Sequence, residues 1–204
     1  MTRGWAAGIP PRYFAWIIRD RLAVCERPGG YARNHRRVRR QEEIIWLRQN
    51  GFTRVVSLMA SPHNLRAYEE LDLPCAHLPF GEAADPRVVL PHLYDCLDRW
   101  LASGERVLAH QEALGDRVMG VVAGYLLWAG KLQAGPHAIA VVEQILRRQM
   151  GPRGRELVTL VPELSPASEM VAEDGRAPAP PGLPGAAVSG RGPIPEEPAA
   201  DAGP

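Results

Sequence analysis

The sequence is poor in the features that declare a protein class at once. Three cysteines, Cys25, Cys75 and Cys96, are too few and too scattered for a disulfide framework or a zinc site, and they predict reduced thiols in a cytoplasmic protein. No apolar run reaches the length of a membrane span, and the N-terminus, although it carries Trp5, lacks the charged-then-apolar order of a secretion signal. An excess of one charge is missing too. With 24 basic and 23 acidic side chains the net charge is +1, which excludes a globally basic nucleic-acid binder and confines electrostatic recognition to a local patch. His63 and His77 have no carboxylate or cysteine at metal spacing, so neither a metal nor a cofactor is expected.

What is present suits one domain with a tail. At 204 residues and 46% hydrophobic composition the chain can bury a core of ordinary size. Residues 1–20 gather Trp5, Tyr13, Phe14 and Trp16 around Ile9-Pro10-Pro11, an aromatic arm that either closes the edge of the core or meets a partner. Residues 21–160 form the expected domain. From Pro166 to residue 204 proline, glycine and alanine dominate and aromatics vanish; such a tail cannot bury enough apolar surface to offset its ordering entropy and is expected to be disordered.

Within the domain, short apolar runs alternate with helical periodicity. Strands are expected at 21–25, 52–59, 75–80 and 107–109, and helices over about 41–50, 64–71, 87–103, 118–129 and 137–150. The alternation implies an α/β fold, a mostly parallel central sheet flanked by helices, with ligand sites at the carboxyl ends of the strands. One run is unusual in composition. Arg33, Arg36, Arg37, Arg39 and Arg40 precede the first helix as a patch suited to phosphate or an acidic partner. It lacks interleaved aromatics or a nucleic-acid motif, which disfavours nucleic acid, and the plainer reading is a solvated loop neutralised by Glu42 and Glu43 after it.

Most of the functional content lies in the stretch Arg106 to Lys131. The apolar run Val107-Leu108-Ala109 breaks at His110, passes through a loop, and re-emerges after Arg117 as an apolar segment with small residues at helical spacing. Strand, loop and helix in that order place free backbone N–H groups and the positive end of a helix at the loop, with Arg117 as a fixed cation.

At these residues the stretch resembles the signature loop of the cysteine-dependent tyrosine and dual-specificity phosphatases, whose pattern is histidine, cysteine, any five residues, arginine, then serine or threonine. His110 and Arg117 have that spacing, and the resemblance covers roughly residues 20–150. It implies a phosphate-binding loop formed by His110, Gln111, Glu112, Ala113, Leu114, Gly115, Asp116 and Arg117. Gln111 stands at the place of the nucleophilic cysteine, Leu114 and Asp116 stand where loop glycines usually lie, and Val118 replaces the hydroxyl residue.

These departures agree with one another. An amide has no nucleophilic anion to attack phosphorus. Side chains at Leu114 and Asp116 remove the conformational freedom of glycine. A carboxylate roughly 5 Å from a phosphate charge costs about 3 kcal/mol at an effective dielectric near 20, so Glu112 and Asp116 oppose anion binding. Against the family's histidine-x-proline-x-x-aspartate pattern, His77-Leu78-Pro79-Phe80-Gly81-Glu82 puts Glu82 at the general-acid position, with Asp85 the other candidate; Asp85-Pro86 also reads as a helix start. His110 is expected to serve structure. Two functions follow: a pseudophosphatase that binds a phosphorylated or acidic protein ligand, or an active phosphatase using a nucleophile other than cysteine.

Overall fold

The computed structural model describes residues 7–30 and 36–164. The tail from Pro166, Trp5 and Arg33 therefore lie outside the described residues.

Five strands form one sheet: β1 (Ala15–Ile18), β2 (Leu22–Glu26), β3 (Arg54–Ser57), β4 (Cys75–His77) and β5 (Val107–Gln111). Their spatial order is β1-β2-β5-β3-β4; β1 runs antiparallel to β2, and the other pairs are parallel. The described residues also form six α-helices, three between strands and three after the last: α1 (Arg37–Gln49), α2 (Arg66–Glu69), α3 (Pro86–Ala102), α4 (Asp116–Trp128), α5 (Gly135–Leu146) and α6 (Pro152–Leu160). A mostly parallel sheet flanked by helices is thus what the alternation of runs implies. Among the described residues no helix is long and apolar enough to cross a membrane.

The period-2 alternation of strand side chains divides the core. Leu22, Val24, Val56, Val107 and Ala109 face α3, α4, α5 and α6, whereas Ala23, Cys25, Val55 and Leu108 face α1 and α2. The second face is closed at its edge by Phe14, Trp16, Trp46 and Phe52, with Trp16 stacked on Phe52 at 5.2 Å. Trp16 is itself part of β1, so the end of the segment read as an arm is a strand of the sheet.

Four expectations are corrected. The strand leading to the loop continues through His110 to Gln111, because β2 and β3 flank it and pair along that length; the loop is only Glu112 to Gly115. The later part of the arginine run is helical: α1 already begins at Arg37, where Arg39 pairs with Glu43 one turn on and Arg40 is buried. Glu42 and Glu43 consequently do not form its first turn, and basic side chains sit at the positive helix end, where each is unfavourable by about 0.3–1 kcal/mol. The last expected helix stops at Leu146, where Arg147 turns left-handed with φ 50°. Finally, α6 was not foreseen. It crosses α4 where Gly120 meets Gly154: a Cβ on Gly120 would stand 2.6 Å from the Gly154 carbonyl oxygen, so only glycine permits the contact.

Candidate functional site

The carboxyl ends of β5 and β4 and the first turn of α4 meet at one point, the backbone carbonyl of Phe80. Gln111, the last residue of β5, donates its amide Nε2–H to that oxygen at 2.9 Å and reaches the Leu58 carbonyl oxygen at 3.5 Å. Arg117, in the first turn of α4, donates Nη1–H to Phe80 O at 3.3 Å and to the adjacent Gly81 carbonyl oxygen. Its guanidinium also lies 5.0 Å from the centre of the Phe80 ring. Gln111 and Arg117, which the resemblance aligns with the family's nucleophile and anion-holding arginine, are therefore joined through one neutral acceptor. Hydrogen bonds from a cation to a carbonyl contribute about 1.5–3 kcal/mol, which an incoming anion would have to replace.

His110 lies behind this junction. It is buried, and its Nε2 is 3.1 Å from the Tyr68 hydroxyl on α2. Burial first, then the Arg27 cation, push its pKa down to about 3, so the imidazole is neutral. It holds the end of β5 against α2 and supplies no charge to the loop.

Three carboxylates around the site meet an arginine from outside the signature stretch. Glu112 pairs with Arg27 at 3.5 Å, Asp116 with Arg148 at 4.0 Å, and Glu82 with Arg153 of α6 at 2.9 Å. Arg148 further donates to the Leu114 carbonyl oxygen at 2.8 Å. Sequence reasoning missed Arg27, Arg148 and Arg153; the one hint was the arginine density after α5, at positions 147, 148, 153 and 155. Asp116 fits where a loop glycine was expected because Gly151, just before α6, leaves its carboxylate the space that a Cβ would fill. Gly115 is extended, with φ −111°, and a Cβ there would meet no atom within 4 Å.

The two general-acid candidates separate. Asp85 caps α3, accepting a hydrogen bond from the Arg87 backbone N–H at 2.9 Å. Glu82 is fully exposed and held below the usual carboxylate range by its hydrogen bond to Arg153, with Arg153 and Arg117 adding attraction. An acid must carry a proton at the working pH, and Glu82 is biased against one. Beside it a cleft of about 430 Å³ opens between the turn after β4 and α6, with Phe80, Ala84, Pro86 and Leu157 as apolar walls and Arg117 and the Glu82–Arg153 pair at the rim.

The described arginines of the run differ in setting. Arg36 and Arg37 are exposed, Arg39 is held by Glu43 through two contacts of 2.7 Å, and Arg40 is buried. Glu43 also accepts the Gly29 N–H at 2.7 Å, which fixes the turn after β2 to α1.

No protein-family model matches the chain, and no curated protein matches it as a sequence relative. Solved structures do. The kinase-associated phosphatase KAP, with its catalytic cysteine replaced by serine, superposes at TM-score 0.64 and 18% identity over 75% of this chain and 95% of that one. Tk-PTP in its active form gives 0.59 and 19% over 73% and 96%, and human DUSP28 gives 0.57 and 16% over 78% and 97%. The chain has the fold shared by these dual-specificity and tyrosine phosphatases.

Proposed function

We propose that this chain is a pseudophosphatase: a dual-specificity-phosphatase scaffold without the chemistry, acting in the cytoplasm by binding phosphorylated or acidic protein partners. The observation that carries this reading is the shared Phe80 carbonyl, which takes both the Gln111 amide and the Arg117 guanidinium and so occupies from within the place of an attacking group and its anion holder. The amide cannot form a covalent phosphoryl intermediate. Of the carboxylates at hand, Glu82 is held below the usual carboxylate range by Arg153, which disfavours it as an acid, while Glu112 pairs with Arg27 and Asp116 with Arg148. Three free thiols, Cys25, Cys75 and Cys96, accord with a reducing compartment.

The test is hydrolysis of an aryl phosphate by the purified chain beside Arg117→Ala, with vanadate binding followed in parallel. Background turnover and vanadate binding too weak to saturate are expected of both. Clear wild-type hydrolysis that Arg117→Ala abolishes would overturn the reading and require a non-cysteine nucleophile.

A further inference from the structure

The exposed part of the arginine run is left over from this site, and it breaks a local rule. α1 opens at the positive end of its dipole on Arg36 and Arg37, with no acid in the first turn and no side-chain cap, although cations suit the opposite end. Arg39 and Arg40 are explained by Glu43 and by burial. Arg36 and Arg37 face solvent and make no ion pair among the described residues. Around them stand apolar side chains that the core leaves out. Val38 is 66% exposed, Tyr13 68% and Ile9 41%. Backbone bonds bring these together: Ile9 N–H reaches Glu42 O, one turn from Val38, while Arg12 O and Arg36 N–H both bond the segment from Glu26 to Gly29. Glu42 is one half-exposed acid among these cations and cannot balance them. A propensity violated in the open, beside exposed apolar surface, marks a surface kept for binding.

The chain carries its own complement. Residues 165–204 contain Glu169, Glu173, Asp174, Glu196, Glu197 and Asp201 against Arg176 and Arg191, so acid is concentrated there while the whole chain is near neutral. We propose that residues 194–201, Ile-Pro-Glu-Glu-Pro-Ala-Ala-Asp, dock on the α1 surface of the same molecule, with Glu196, Glu197 and Asp201 facing Arg36, Arg37 and Arg12 and Ile194 among Val38, Ile9 and Tyr13.

Reach argues against Glu169, and Arg176 close to Glu173 and Asp174 offsets those acids, which leaves residues 194–201 as the acidic segment with no cation in it. α6 and α1 pack on opposite faces of the sheet, a thickness of roughly 20 Å at about 10 Å per packed layer, before the path around the edge is counted. Glu169 follows Leu164 too closely to make that journey. For a random coil of about 30 residues the root-mean-square span is roughly 30 Å. Tethered at that length, the acids are presented at a concentration on the order of millimolar, enough to occupy the surface with a contact that would be weak between separate molecules. The docked tail then competes with any acidic partner for the surface. This inference is independent of what Gln111 does.

The test uses the full chain and a fluorescein-labelled octaglutamate probe at low salt. Glu196→Gln, Glu197→Gln and Asp201→Asn together are expected to tighten probe binding about threefold or more, with the gap closing near about 0.5 M NaCl as screening sets in. Arg36→Glu with Arg37→Glu, made in that neutral-tail background, is expected to abolish binding. Equal affinity with and without the tail acids overturns the proposal, as does binding that survives loss of the two arginines.

Discussion

Arg117 and the pair Arg36 and Arg37 stand at the same end of the sheet, yet they occupy opposite situations. Arg117 directs its Nη1 inside the molecule, to the carbonyls after β4, and lays its guanidinium over the Phe80 ring. Arg36 and Arg37 make no ion pair among the described residues, and they sit where the helix dipole opposes them. The first arrangement stabilises the fold and forgoes a ligand; the second weakens the fold locally and keeps its capacity for one. A guanidinium therefore reports a site by what it is bonded to, more than by its place in a motif.

That contrast can be broken by stability measurements. Arg117→Ala is expected to lower the unfolding free energy by about 2–3 kcal/mol in urea denaturation, the sum expected from its cation–carbonyl bonds and its contact with the Phe80 ring. A loss under about 0.5 kcal/mol would mean the guanidinium is free in solution and available to an anion.

The interior wall of the loop is tested by pH. His110 has a folded-state pKa of about 3, against about 6.5 when unfolded, so between those values the unfolded chain takes up a proton that the folded chain refuses. Stability is then full above about pH 6.5 and falls as the pH drops, by about 1.4 kcal/mol per unit from this group. His110→Gln should flatten that slope in denaturation curves; an unchanged slope would place the imidazole in contact with water.

Gln111→Cys should cost about 1 kcal/mol through loss of the amide bond to Phe80 O. Because Arg117 stays on the same carbonyl and Val118 supplies no hydroxyl, the variant is expected to hydrolyse aryl phosphate only at trace level. The smallest effect is expected from Arg36→Ala with Arg37→Ala, which should leave stability within about 0.5 kcal/mol or raise it slightly, since exposed cations leave an unfavourable helix end. A marked loss would show that these side chains serve the fold after all.

Much of this was legible in the sequence. Period and length located the four parallel strands and the helices up to α5, and the spacing from His110 to Arg117 located the turn between β5 and α4, because these are properties of neighbouring residues, whereas β1 falls in the segment that reads as an arm. Asp85-Pro86 was readable as a helix start for the same reason. What the sequence could not show was direction. Arg117 turns to carbonyls more than thirty residues away in the chain, and Arg39 and Arg40 turn inward while Arg36 and Arg37 do not. Side-chain aim is decided by partners that only the fold brings near. α6 had local signals, Pro152 at its first position and Leu157, Val158 and Val161 on one side, but Gly154 in its middle obscured them.

The shared acceptor at Phe80 also ties three elements together at one atom. A backbone oxygen has two lone pairs, and Gln111 and Arg117 together can use both, so the end of β5, the turn after β4 and the first turn of α4 are joined at a point that no side-chain substitution at residue 80 removes.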